Sequence, residues 1–191
     1  MLSIVIASLT IYAVVDGSSS SCGGAAPSTI PGCDRVDRGG CGNACCLVDV
    51  PIPAHDDANL TAHVYLQLKQ FLLTGGADGS FKYVHSADKA GHNPSDDLTA
   101  YPIPWNYVFQ ATHKTAGGYV DTLNFNLRED PYPPIRGASN AVLRIFSVSN
   151  IHGALGDNGQ NYKTIEYLVA HSMLGKAFGA GDLIVRHGCG S

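Results

Sequence analysis

The chain has 191 residues, 45% of them apolar and only 15% charged, with a formal net charge of −4. That length suits one domain with a processed leader and tails, and the apolar share is enough for a sizeable core. Lysine and arginine nowhere cluster along the chain, which argues against nucleic acid or an anionic membrane surface as a partner.

Apolar residues run from Leu2 to Val15, short of the about 20 needed for a transmembrane helix. Small residues follow, so residues 1–16 read as a signal peptide or other leader, and no stable membrane span is expected in the mature chain. No basic residue precedes the run. Residues 17–32 are rich in Ser, Gly and Pro and read as a linker. Five of the six cysteines, Cys22, Cys33, Cys41, Cys45 and Cys46, crowd the first part of the chain, and Cys189 stands near the end. Beside a leader, an even count reads as a disulfide framework, for which 15 pairings exist. Residues 33–53 are expected to form a Cys-rich stapled loop, Gly-rich at first and closed by Pro51-Ile52-Pro53, where proline disfavours helix. Such a stretch has too small a core to fold by burial alone. The spacing from Cys33 to Cys46 does not match a zinc site. These features predict an oxidising address, either extracellular or the lumen of a plastid or thylakoid. Asn59-Leu60-Thr61 is a glycosylation acceptor if the chain passes through a eukaryotic secretory route.

Residues 54–175 are expected to hold the folded domain. Asp56 and Asp57 suit a helix start. Leu60, Val64, Leu68, Phe71 and Leu72 then form one apolar stripe, ended by Gly75-Gly76. Alternation over Phe81–Ser86 predicts a short strand, and a proline-bearing loop covers residues 88–104. The runs Trp105–Thr112 and Tyr119–Leu127, separated by Gly117-Gly118, predict an antiparallel hairpin. Val142–Ser149 predicts a further strand. A second helix opens near Asp157 or Gly159, capped by Asp157 or Asn158, with the stripe Tyr162, Ile165, Leu168, Val169 and Met173. Residues 176–191 read as a Gly-rich tail with a short edge strand between Asp182 and His187. The fold class is therefore α+β, a two-layer arrangement of an antiparallel sheet with helices on one face, plus the N-terminal disulfide-rich loop segment.

Three groups of residues are candidate sites. Gln110, Thr112, Thr122, Asn124 and Asn126 project from one side of the hairpin, as a ligand groove or simply the wet face of a sheet. Asp121 and Arg144 each stand in phase with apolar residues of their strands, so both are expected to face the core, where they could pair or capture a ligand. The stretch Gly153–Lys163 offers exposed backbone N–H groups at a helix start, with a simple strand-to-helix turn as the plain alternative. It lacks the Gly-Lys-Ser/Thr ending of a phosphate loop. The histidines include no pair at helical ligand spacing and no His-Glu-x-x-His, so neither cofactor nor metal is expected.

The order Tyr119-Val120-Asp121-Thr122-Leu123-Asn124-Phe125, Ser147-Val148-Ser149, then Asp157-Asn158-Gly159-Gln160-Asn161 with Ile165 resembles domain-of-unknown-function family 1499 across Trp105–Leu168. The family's arginine before the first serine and its basic residue after the asparagine are replaced here by Ile145-Phe146 and Thr164. The resemblance implies a fold and an uncharacterised role. The expected ligand neighbourhood is Asp121, Arg144, Ser147, Ser149, Asp157 and Asn161, binding an unknown small molecule or protein partner without catalysis. One alternative is a hydrolase using His113 or His152 at the strand-to-helix loop at 147–161. A structural or surface interaction module is the other.

Overall fold

Two-residue alternation organises most of the chain. The computed structural model describes residues 44–53, 57, 59–85, 95–129, 139–151, 158–180 and 182–189. Within them lie six strands: β1 (Cys45–Pro53), β2 (Phe81–Val84), β3 (Tyr107–Lys114), β4 (Val120–Glu129), β5 (Ser139–Ser149) and β6 (Ile184–Gly188). They form one sheet in the order β2-β3-β4-β5-β1-β6, and every pairing is antiparallel. Helices α1 (Leu60–Leu73), α2 (Gln160–His171) and α3 (Met173–Ala177) cover one face. The result is the expected two-layer α+β fold.

Register decides which residues meet the helices, because directly opposed residues share a face. Phe125 lies between Phe109 and Ile145, and Leu127 between Tyr107 and Leu143. Val48, Val50 and Ile52 extend that face across β1, and Val64, Leu68, Leu72, Ile165 and Leu168 of the helices close over it. Each of these large side chains removes roughly 1.5–3 kcal/mol worth of apolar surface from water.

The segment Cys45–Pro53 corrects the expectation of a stapled loop over residues 33–53. It is a strand, and an interior one, pairing with β5 along its length. Its two prolines are tolerated because β6 pairs only with Cys46–Asp49. The Pro51–Pro53 end therefore has one neighbouring strand, and a missing N–H costs little there. The α+β unit thus reaches beyond 54–175 at both ends. It takes in β6, the edge strand foreseen within the tail, and α3 also ends inside residues 176–191. A Cys46–Cys189 disulfide joins β1 to the residue after β6, and Cys45 is disulfide-bonded too. Cys22, Cys33 and Cys41, and the residues 1–16 and 17–32 expected to be leader and linker, lie outside the described residues.

Helix α1 starts at Leu60, three residues after Asp57, whose carboxylate accepts the Asn59 N–H at 2.9 Å. Asn59 is exposed, while Thr61 is buried in the first turn. Tyr65 joins the buried stripe, its ring stacking on Tyr107 with centroids 4.4 Å apart, while Phe71 packs against the core half-buried. Helix α2 is capped by Gly159, in the left-handed region at φ 72°, and not by the Asn158 side chain. Asn161 and Thr164 fill its buried stripe beside Ile165, Leu168 and Val169, whereas Met173 is exposed on α3.

Among the described residues no helix is long and apolar enough to cross a membrane.

Candidate functional site

Where α2 begins, the core changes from apolar to polar. On the helix-facing side His113, Asp121 and Ser149 are opposed in a row across β3, β4 and β5, and each is at most 7% exposed. Ser149 Oγ donates to Asp121 Oδ1 at 2.9 Å. One residue pair deeper, Ser147 Oγ donates to Asn161 Oδ1, and Asn161 Nδ2 donates to the Ala44 carbonyl at 3.1 Å. Thr164 of α2 meets His113 Nδ1 at 3.1 Å. Burial pushes the His113 imidazole below the ordinary histidine pKa, against a weaker opposing pull from Asp78. The polar patch therefore carries a carboxylate beside an imidazole biased toward its neutral form.

A cavity of about 660 Å³ opens onto this patch. Asp121, Ser149 and His113 line it together with Thr115, Ala116, Gly117 and Tyr119 of the β3–β4 turn, Ile151 after β5, and Asn158 and Gln160 at the start of α2. The turn is held by Thr115, which donates its N–H to the Tyr119 carbonyl at 2.8 Å and accepts the Tyr119 N–H on its hydroxyl at 3.1 Å. Gly118 takes φ 82° there, a left-handed conformation that favours glycine. Tyr119 and Ile151 leave large apolar surface exposed, 60% and 42% respectively. Polar groups at the bottom and apolar ones at the mouth, in a volume within the usual 300–1,000 Å³ range, are the make-up of a small-molecule site.

Of the residues expected to form the site, the fold brings Asp121 and Ser149 to the cavity. Ser147 and Asn161 lie beneath them as a buried tie between β5, α2 and the chain before β1. Asp157 and His152 lie outside the described residues. Arg144 is displaced altogether. It occupies the opposite face of the sheet, where its Nε and Nη2 donate to Asp49 at 2.7 and 3.1 Å, so it does not pair with Asp121. Strand β5 has apolar residues in both phases, and the set in phase with the core is Leu143, Ile145, Ser147 and Ser149. Gln110, Thr112, Thr122, Asn124 and Asn126 do share one face, the one turned away from α1, α2 and α3. Gln110 donates to Asn124 at 2.6 Å and Thr122 to Asn150 at 3.0 Å.

His113, named above only for the hydrolase alternative, is a wall of this cavity, in keeping with its place two residues past Ala111 in the buried phase. The turn Thr115–Tyr119 is a second wall, which nothing in the periodicity marks. The arrangement differs from a Ser-His-Asp relay, in which the imidazole lies between the hydroxyl and the carboxylate. Here the serine bonds the aspartate directly, and β4 separates Ser149 from His113. Among the described residues no group of three or more His, Cys, Asp or Glu side chains is placed to hold a metal ion. Comparison with family models, with curated proteins and with solved structures finds no match, so the likeness to domain-of-unknown-function family 1499 rests on the residues quoted above.

Proposed function

We propose that this chain is an exported or lumenal domain that binds a small molecule, without catalysis, in the cavity between the β3–β4 turn and the start of α2. The observation that carries the reading is the buried Asp121 carboxylate at the bottom of a cavity with an exposed apolar mouth. A carboxylate offers only acceptors, so the ligand presents N–H or O–H donors inward. Its apolar body packs on Tyr119 and Ile151. A cationic amine suits the Asp121 carboxylate best, because a charge-assisted hydrogen bond is about twice as strong as a neutral one.

Small amines, alcohols and carboxylates, titrated separately and followed by backbone NMR shifts, test this. Amines and alcohols are expected to shift Tyr119, Asp121 and Ser149, with the carboxylates silent. Asp121→Asn should weaken amine binding about tenfold, the loss of one charge-assisted bond. Tyr119→Ser, at an exposed position, should weaken it with no change in melting temperature. Amine binding that survives both substitutions, or shifts confined to other regions, sinks the reading. Mass spectrometry of protein isolated from its native host would report a retained molecule and the processed N-terminus together.

A further inference from the structure

Three arginines, on β4, β5 and β6, meet on the face of the sheet turned away from α1, α2 and α3. Arg144 of β5 grips Asp49 through Nε and Nη2, at 2.7 and 3.1 Å, and Arg186 of β6 donates Nε to the same carboxylate at 2.8 Å. The guanidinium carbons of Arg144 and Arg128 each lie 5.8 Å from the centroid of the Trp105 ring. Arg128 and Arg144 are diagonal neighbours across β4 and β5, since Asn126 faces Arg144 and Arg128 faces Val142. The side chains form a continuous row, Arg186–Asp49–Arg144–Trp105–Arg128.

A strand clamp does not need this much charge. Arg144 by itself already grips Asp49 through two parallel bonds. Among the described residues three guanidiniums stand against one carboxylate here, on a chain whose net charge is −4. Among the described residues Arg128 contacts Trp105 and no carboxylate. Each guanidinium carries five N–H donors. Arg144 spends two of them on Asp49 and Arg186 one, and their side chains remain 27% and 50% exposed. Stacking on an aromatic face and pairing with a carboxylate hold these planar forks in place, which lowers the cost of binding a planar or tetrahedral oxyanion.

The row is also long. Strands β4 and β6 are three strand spacings apart, about 14 Å, more than one inorganic ion spans. Half-buried amides border it: Asn126 stands directly opposite Arg144, and Asn124 follows on the same face. Amide groups both donate and accept, as hydroxyl-rich chains require. We infer that Arg128, Arg144, Arg186 and Trp105 form a binding site for an acidic glycan, whose carboxylate or sulfate groups meet the guanidiniums while its hydroxyls meet the flanking amides. This site is independent of the cavity at Asp121.

Calorimetric titration of the full chain with a heparin hexasaccharide at low salt tests the inference. The wild type should bind, and added salt should weaken the complex. Arg128→Gln leaves the Asp49 clamp intact, so it should lower affinity about tenfold, the loss of one charged contact, at unchanged melting temperature. Asp121→Asn should leave this binding as it was, which separates the site from the cavity. Absent wild-type binding, or equal affinity in Arg128→Gln, overturns the site. Inorganic sulfate binding as tightly as the hexasaccharide overturns the glycan occupant in favour of a free ion. A single-stranded oligonucleotide of equal charge that binds more tightly overturns it in favour of nucleic acid.

Discussion

A β-carbon on Gly188 would lie 2.2 Å from the Cys45 carbonyl oxygen, and the residue already holds φ +69°. Backbone cannot yield as a flexible side chain does, so Gly188→Ala should push the end of β6 away from β1. The expected cost is about 2 kcal/mol or more, read as a lower urea midpoint, and the Cys46–Cys189 bond should reduce faster. Unchanged stability and reduction rate would show that the strand end adjusts freely. No sequence pattern announces this constraint, because Gly188 sits among other C-terminal glycines that read as tail. Asp121 was more legible, its phase with Leu123, Phe125 and Leu127 matching the buried side. Arg144 was misread because Val142, Phe146 and Val148 make its phase look as apolar as the true core phase. What decides the matter is Asp49, a partner 95 residues away in sequence.

At the scale of elements, periodicity recovered α1, α2, the β3–β4 hairpin and β5, each long and strongly patterned. Strand β1 was lost to its prolines and to the composition of the residues before it. Its alternation of Cys46, Val48, Val50 and Ile52 against Leu47, Asp49 and Pro51 was present throughout. The loop before β3 is pinned by a cluster that sequence spacing cannot show. Asp96 accepts from the Tyr65 hydroxyl at 2.7 Å, from the Tyr83 hydroxyl, and from Lys69 at 3.4 Å. Edge strand β6 has little to hold it by burial, since all five of its residues are exposed. It depends on its ladder to β1, on the Arg186–Asp49 contact and on the disulfide. Replacing Cys46 and Cys189 together by serine should therefore cost about 2–5 kcal/mol. Hydrogen exchange should rise first at residues 184–188 and at Cys46–Asp49, while β3 and β4 stay protected. Uniform loss of protection would mean that β6 is integral to the cooperative unit.

For the molecule as a whole, acid should act in two stages. Burial depresses the His113 pKa in the folded state, so the unfolded chain takes up that proton first. The associated stability is complete above about pH 6.5, the unfolded histidine value, and declines as pH falls below it. Burial alone would raise the Asp49 pKa, but hydrogen bonds and charge from Arg144 and Arg186 outweigh it and hold the value below the ordinary range. Its contribution is present above about pH 4 and is lost as pH drops through the lowered folded value. Urea midpoints measured from pH 8 down to pH 3 should show both declines, and His113→Asn should flatten the first alone. A first decline that persists in the variant would trace it to another group.

The bond between Cys46 and Cys189 brings together Cα atoms 4.2 Å apart that are separated by 143 positions along the chain. Oxidised, residues 46–189 form a closed ring, and tension applied at its two cysteines crosses the Cys46–Cys189 bridge without loading the sheet. Once that bridge is reduced, the same pull would enter through β1 and β6 and could pay out on the order of 500 Å of chain. A transferable electron pair thus sets whether the domain is a fixed link or an extensible one.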